Sequence, residues 1–182
     1  SVQKFYRTSL IYEYGRIEDI PHGGLFNITF GKERNESKSR FYGGINASMG
    51  HSVRNFGYLY FSAGFSTFFR GDTTEQGILL LRSSYFSNLL YLGKYRIRTF
   101  VKADYTRGFG RFKDEYLGYN KENGFSSFRN DTVRGEQRLL LSLESVLFSP
   151  VKYYGFRFAF FAFTDIGLIF GTNETIKEGD FL

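Results

Sequence analysis

Side-chain chemistry alternates with a period of two along most of this chain, a pattern that only a sheet can use. In residues 57–70 the odd positions Leu59, Phe61, Ala63, Phe65 and Phe69 are apolar, while the even positions Tyr58, Tyr60, Ser62, Gly64 and Ser66 are polar or small. Successive strand side chains point to opposite faces, so this segment has one oily face and one wettable face. Residues 95–109 repeat the division, with Ile97, Val101, Ala103 and Tyr105 against Arg96, Arg98, Lys102 and Asp104. A soluble sandwich also alternates, but there a second sheet covers each apolar face. Four charges on one strand face suit a water-filled lumen.

About eight segments carry the pattern, near 4–16, 24–34, 40–53, 57–70, 76–89, 95–110, 137–149 and 155–170. Most are longer than the usual soluble strand and long enough for a tilted membrane crossing. The spacing predicts short turns at 54–56, 91–94 and 149–154, a somewhat longer one at 16–23, and longer polar loops at 33–39, 71–76 and 111–136. Turns that alternate with long loops are the asymmetry of outer-membrane barrels. Arg70-Gly71-Asp72 spells an adhesion tripeptide, but a polar connection between strands explains it.

Composition agrees. No apolar run approaches the roughly 18–20 residues of a membrane-spanning helix, yet aromatic residues make up 20% of the chain. Tyrosine, 14 times present, stands in for the absent tryptophan at membrane interfaces. With no cysteine, neither a disulfide framework nor a thiolate metal site is available, and no cofactor or metal is expected. The net charge of +6 is spread along strands rather than gathered in a block, so nucleic acid is not an expected partner. The two histidines, His22 and His51, fall in a predicted turn and on an outward face, which does not build a catalytic set; no enzyme activity is expected.

The chemistry concentrates near the end. In 137–149 the odd residues Leu139, Leu141, Leu143 and Leu147 form an apolar stripe, which puts Glu144 and Ser142 on the opposite face. In 155–170 the even residues Phe156, Phe158, Phe160, Ala162, Ile166 and Leu168 form the stripe, which leaves Arg157, Asp165 and Gly167 on the polar side. Two carboxylates, Glu144 and Asp165, thus face the same way from adjacent strands. A carboxylate facing a narrow lumen needs a partner. Arg134, in Val133-Arg134-Gly135 at the end of the loop 111–136, can supply a planar bidentate fork if that loop folds inward, with Gly135 permitting a tight turn.

These residues resemble the signature of the bacterial surface-antigen barrels: the outer-membrane barrel-assembly proteins, their translocation-and-assembly relatives and the two-partner secretion transporters. In that family an inward loop carries Val-Arg-Gly, and its arginine pairs with acidic residues of the next two strands. The second acid lies in a Phe-x-Asp-x-Gly run, matched here by Phe163, Asp165 and Gly167. The motif-level match covers about 135–170, and Glu136 stands where the family usually has an aromatic residue.

The resemblance implies an all-β fold, an antiparallel transmembrane β-barrel over 1–182 with about eight strands present as an internal part of a larger barrel, one of roughly sixteen strands. It implies a place in the bacterial outer membrane and a role in inserting or translocating other proteins. Partners would be outer-membrane lipids, client outer-membrane or secreted proteins, and periplasmic or lipoprotein accessory subunits. The chain opens at Ser1 without a charged-then-apolar leader and its tail, 171–180, reads as a loop, which is expected of an internal piece. Competing readings are a complete eight-stranded barrel acting as a passive pore or anchor, and the barrel anchor of an upstream hydrolase domain.

Overall fold

The computed structural model describes residues 2–9, 17–35, 38–111, 117–119 and 130–171, for some of these, Arg134 included, the backbone alone. It is all-β, with no helix among the described residues. The strands are β1 (Val2–Ser9), β2 (Ile17–Asn35), β3 (Lys38–Val53), β4 (Gly57–Arg70), β5 (Thr73–Ser87), β6 (Leu90–Leu92), β7 (Tyr95–Phe109), β8 (Leu117–Tyr119), β9 (Asn130–Gly135), β10 (Gln137–Tyr153) and β11 (Phe156–Phe170). Eight of them form one antiparallel sheet in the order β1-β2-β3-β4-β5-β7-β10-β11, with β6 added to β7. The sheet is open, with β1 and β11 at its two edges, and β8 and β9 pair with each other apart from it.

Register confirms the division of faces. One cross-strand row runs Gly50, Tyr60, Ser84, Lys102, Ser142, Asp165, and the next runs Tyr58, Phe86, Phe100, Glu144, Phe163. The other face presents Phe26, Ile28 and Phe30 of β2, Phe61 and Phe65 of β4, Leu141 and Leu143 of β10, and Phe158 and Phe160 of β11, all exposed. Burial is therefore inverted with respect to a soluble protein. The buried apolar strand residues Tyr58, Phe100, Leu140, Phe148 and Ile169 lie on the face that carries the charges.

An arm made of β1 and the early part of β2 covers part of that polar face. The turn expected at 16–23 does not lie there: β2 begins at Ile17, and Pro21, His22 and Gly23 belong to a strand paired with β1 from Ile17↔Ser9 to Gly24↔Val2. Proline and paired glycines read as turn signals, but here they bend a strand. Only Gly23 onward pairs with β3, and Gly23 takes a φ of 140° where the strand changes neighbours. Pro21 has no N–H to contribute, but its carbonyl accepts the Tyr58 hydroxyl at 2.5 Å. Gly50 leaves room for this approach, since a Cβ there would lie 2.8 Å from the Pro21 oxygen.

The connections also differ from expectation. The predicted loops at 33–39 and 71–76 are tight: β2 and β3 remain paired to Asn35↔Lys38, and β4 and β5 to Arg70↔Thr73. Gly71, with a φ of 57°, takes the left-handed first position of the second hairpin. Near Pro150, β10 continues to Tyr153 through a register shift, and the turn is Tyr154-Gly155, with φ values of 48° and 84° as a type I′ hairpin requires. Of the three loops expected to be long, only 111–136 remains long, and it contains β8 and β9.

Candidate functional site

Strands β10 and β11 bring both predicted carboxylates to the polar face. Ser142 pairs with Asp165, and its hydroxyl donates a hydrogen bond to Asp165 Oδ1. Glu144, two residues farther along β10, pairs with Phe163. Glu144 and Asp165 are thus diagonal neighbours, with an expected separation of about 7–8 Å between their strand positions. Lys102 of β7 pairs with Ser142 from the other side, so an ammonium shares the row with the Asp165 carboxylate. One row away, Arg82 and Asp104 pair in register and form an ion pair at 3.3 Å. Phe163 stacks on Phe161 with ring centroids 6.4 Å apart, and Gly167 is buried opposite Leu140.

The Val133-Arg134-Gly135 motif lies in β9. The side chains of Val133 and Arg134 are outside the described part of the structure, so the expected pairing of Arg134 with Glu144 and Asp165 falls there too. Gly135 is described, and its role differs from the turn predicted for it. It ends a strand and pairs with Leu117, and its φ lies outside the left-handed region. A Cβ at Gly135 would sit 2.5 Å from Ile169 Cγ2 and 2.9 Å from the Phe170 carbonyl oxygen. Close approach, not turning, is what this glycine supplies.

That approach fixes which side of the sheet the base of the hairpin occupies. Ile169 shares a face with Asp165 and Gly167 and is 4% exposed, and Leu117 beside Gly135 is 8% exposed. The base of the β8–β9 hairpin therefore packs on the polar face, at the end of β11 that carries the Phe163–Gly167 motif. Glu136, the residue between hairpin and β10, is exposed, and its carbonyl accepts from the Gly108 amide at 2.8 Å. Arg138, next on the polar face, is 6% exposed and donates to Thr106 Oγ1 at 3.5 Å. The alternation that placed Glu144 would have placed Arg138 on the same face, six residues back along β10.

Sequence reasoning missed a second cluster. Arg40 on β3 binds Glu33 of β2 through Nε, donates to Gln76 Oε1 at 2.5 Å and lies 3.5 Å from a Glu75 carboxylate oxygen. Its guanidinium also sits 4.0 Å from the Phe68 ring centroid. The tight β2–β3 connection creates this contact by making Glu33 and Arg40 register partners.

The two histidines are brought together, contrary to expectation, with ring centroids 4.6 Å apart and the Ser52 amide donating to His22 Nδ1 at 3.3 Å. Among the described residues no group of three or more His, Cys, Asp or Glu side chains could hold a metal ion. Compared with protein-family models, with curated proteins and with solved structures, the chain matches none.

Proposed function

We propose that this chain forms part of the wall of a bacterial outer-membrane β-barrel of the surface-antigen kind, which inserts or translocates other proteins. The observation that carries the reading is the inverted burial: phenylalanines and leucines stand exposed along one face, while the buried apolar strand residues Tyr58, Phe100, Leu140, Phe148 and Ile169 lie on the charged face. An apolar surface of that extent is unfavourable in water and favourable against acyl chains.

The open edges support a larger assembly, because unpaired strand edges cannot face lipid. The wall would continue into a barrel of roughly sixteen strands. The β8–β9 hairpin would then lie inside the lumen, where Arg134 would reach Glu144 and Asp165 and fasten the loop to the wall. The work of such a site is binding and conformational gating of client polypeptides, with lipids outside and accessory subunits at the periplasmic side.

Substituting Arg134→Ala in the full-length protein is expected to lower heat-modifiable migration on gels and reduce client assembly together. Unchanged migration with unchanged client assembly would overturn the proposal. A steady open conductance in planar bilayers without any client effect would replace it with a passive pore.

A further inference from the structure

Between the β1–β2 arm and the polar face lies a cavity of about 370 Å³, roofed by Ile20 and Pro21 and floored by Tyr60, Phe86, Phe100 and Lys102. From this cavity we infer a binding site for a small aromatic carboxylate, with its ring among the aromatic side chains and its charge on the Lys102 ammonium.

Four aromatic side chains, Tyr58, Tyr60, Phe86 and Phe100, gather in two neighbouring cross-strand rows of the polar face beneath the arm. Packing the arm accounts for part of this grouping: Tyr58 is buried and tied to the Pro21 carbonyl, and its ring stacks on Phe86 at 5.2 Å. The arm nevertheless leaves the space above Tyr60 and Phe100 unfilled. Its volume falls within the range of about 300–1,000 Å³ typical of small-molecule sites, as does the combination of apolar walls with few polar groups.

Charge decides the class of ligand. Asp19 at the rim is already paired with Arg7 at 3.1 Å. Lys102 is exposed and, among the described residues, makes no ion pair. An aromatic cage for a cation would not place an ammonium in its floor, whereas an anion gains a charge-assisted hydrogen bond from it. Flat rings suit walls made by Phe86, Phe100 and Tyr60, because offset stacking adds to simple burial.

The site goes beyond the transport reading and does not depend on it, so client assays and binding assays fail separately. Calorimetric titration of the full chain in detergent micelles with 2-naphthoate, against its uncharged twin 2-naphthalenemethanol, tests it. Saturable naphthoate binding is expected, weakened about tenfold or more by Lys102→Gln while the alcohol is unaffected. Filling the cavity with Ile20→Trp is expected to abolish binding of both probes without loss of sheet signal in circular dichroism. Equal binding of acid and alcohol to the unaltered chain, or a Lys102→Gln variant that binds naphthoate as before, would overturn the inference.

Discussion

Ser142 and Asp165 face each other across the β10–β11 ladder, and the serine hydroxyl donates to the carboxylate. The bond ties the two strands that carry the acidic residues of the site and orients Asp165 along the face where the β8–β9 hairpin packs. Removing the donor in Ser142→Ala is expected to cost about 1–2 kcal/mol, since hydrogen bonds to charged groups exceed neutral ones. Urea unfolding in lipid or detergent checks this, and Ser142→Thr, which retains a hydroxyl, should recover most of the loss.

Gly135 gives a steric prediction. With Ile169 Cγ2 only 2.5 Å and a backbone oxygen 2.9 Å from any added Cβ, Gly135→Val must push the hairpin off the sheet. Overpacking of this kind costs about 1–3 kcal/mol. Faster proteolytic cleavage within 111–136 is the expected readout, with the remaining strands still protected.

Arg40 predicts a result at the other end of β3. Arg40→Ala leaves Glu33 and Glu75 without the guanidinium that joins them, and Arg40→Lys restores a charge but not the fork that reaches Glu33 and Gln76 together. Hydrogen exchange at the β2–β3 and β4–β5 hairpins should rise in both variants, more in the alanine variant.

What the sequence made legible, and what it did not, follows from the range of the signal. Period two is local, so it put Glu144, Asp165, Arg157 and the β4 and β7 side chains on their correct faces, and 57–70 matches β4 from end to end. Long-range placement is not local. Nothing in Pro21-His22-Gly23-Gly24 says that β2 would run on through them to pair with β1, because the same residues close turns elsewhere. The Arg40 cluster was hidden for a related reason. A loop drawn at 33–39 separates Glu33 from Arg40, whereas a tight hairpin makes them partners. Gln76 and Gly77 of β5 bulge opposite the single residue Thr67 of β4, with the φ of Gln76 at 53°, which shifts the register and brings Glu75 opposite Phe68.

The exposed apolar face, proposed to meet lipid, makes a sharper energetic prediction. Phe61→Arg would place a guanidinium in the apolar band and is expected to cost about 2–4 kcal/mol if that band lies at the bilayer midplane. Ser62→Asn, one residue along on the polar face, should change stability little. Equilibrium unfolding into denaturant from vesicles measures both, and equal effects at the two sites would argue against a lipid-facing surface.

The central claim is that one face of this sheet meets lipid and the other meets water. The chain has no cysteine, so single-cysteine variants at positions 59 to 66 of β4 can each carry a nitroxide without background labelling. Power-saturation electron paramagnetic resonance in bilayers then reports access to oxygen, which partitions into lipid, and to a water-soluble nickel chelate. Labels at Leu59, Phe61, Ala63 and Phe65 should favour oxygen and those at Tyr60, Ser62, Gly64 and Ser66 the nickel chelate, in strict alternation. Equal access of the nickel chelate to both sets would contradict the account.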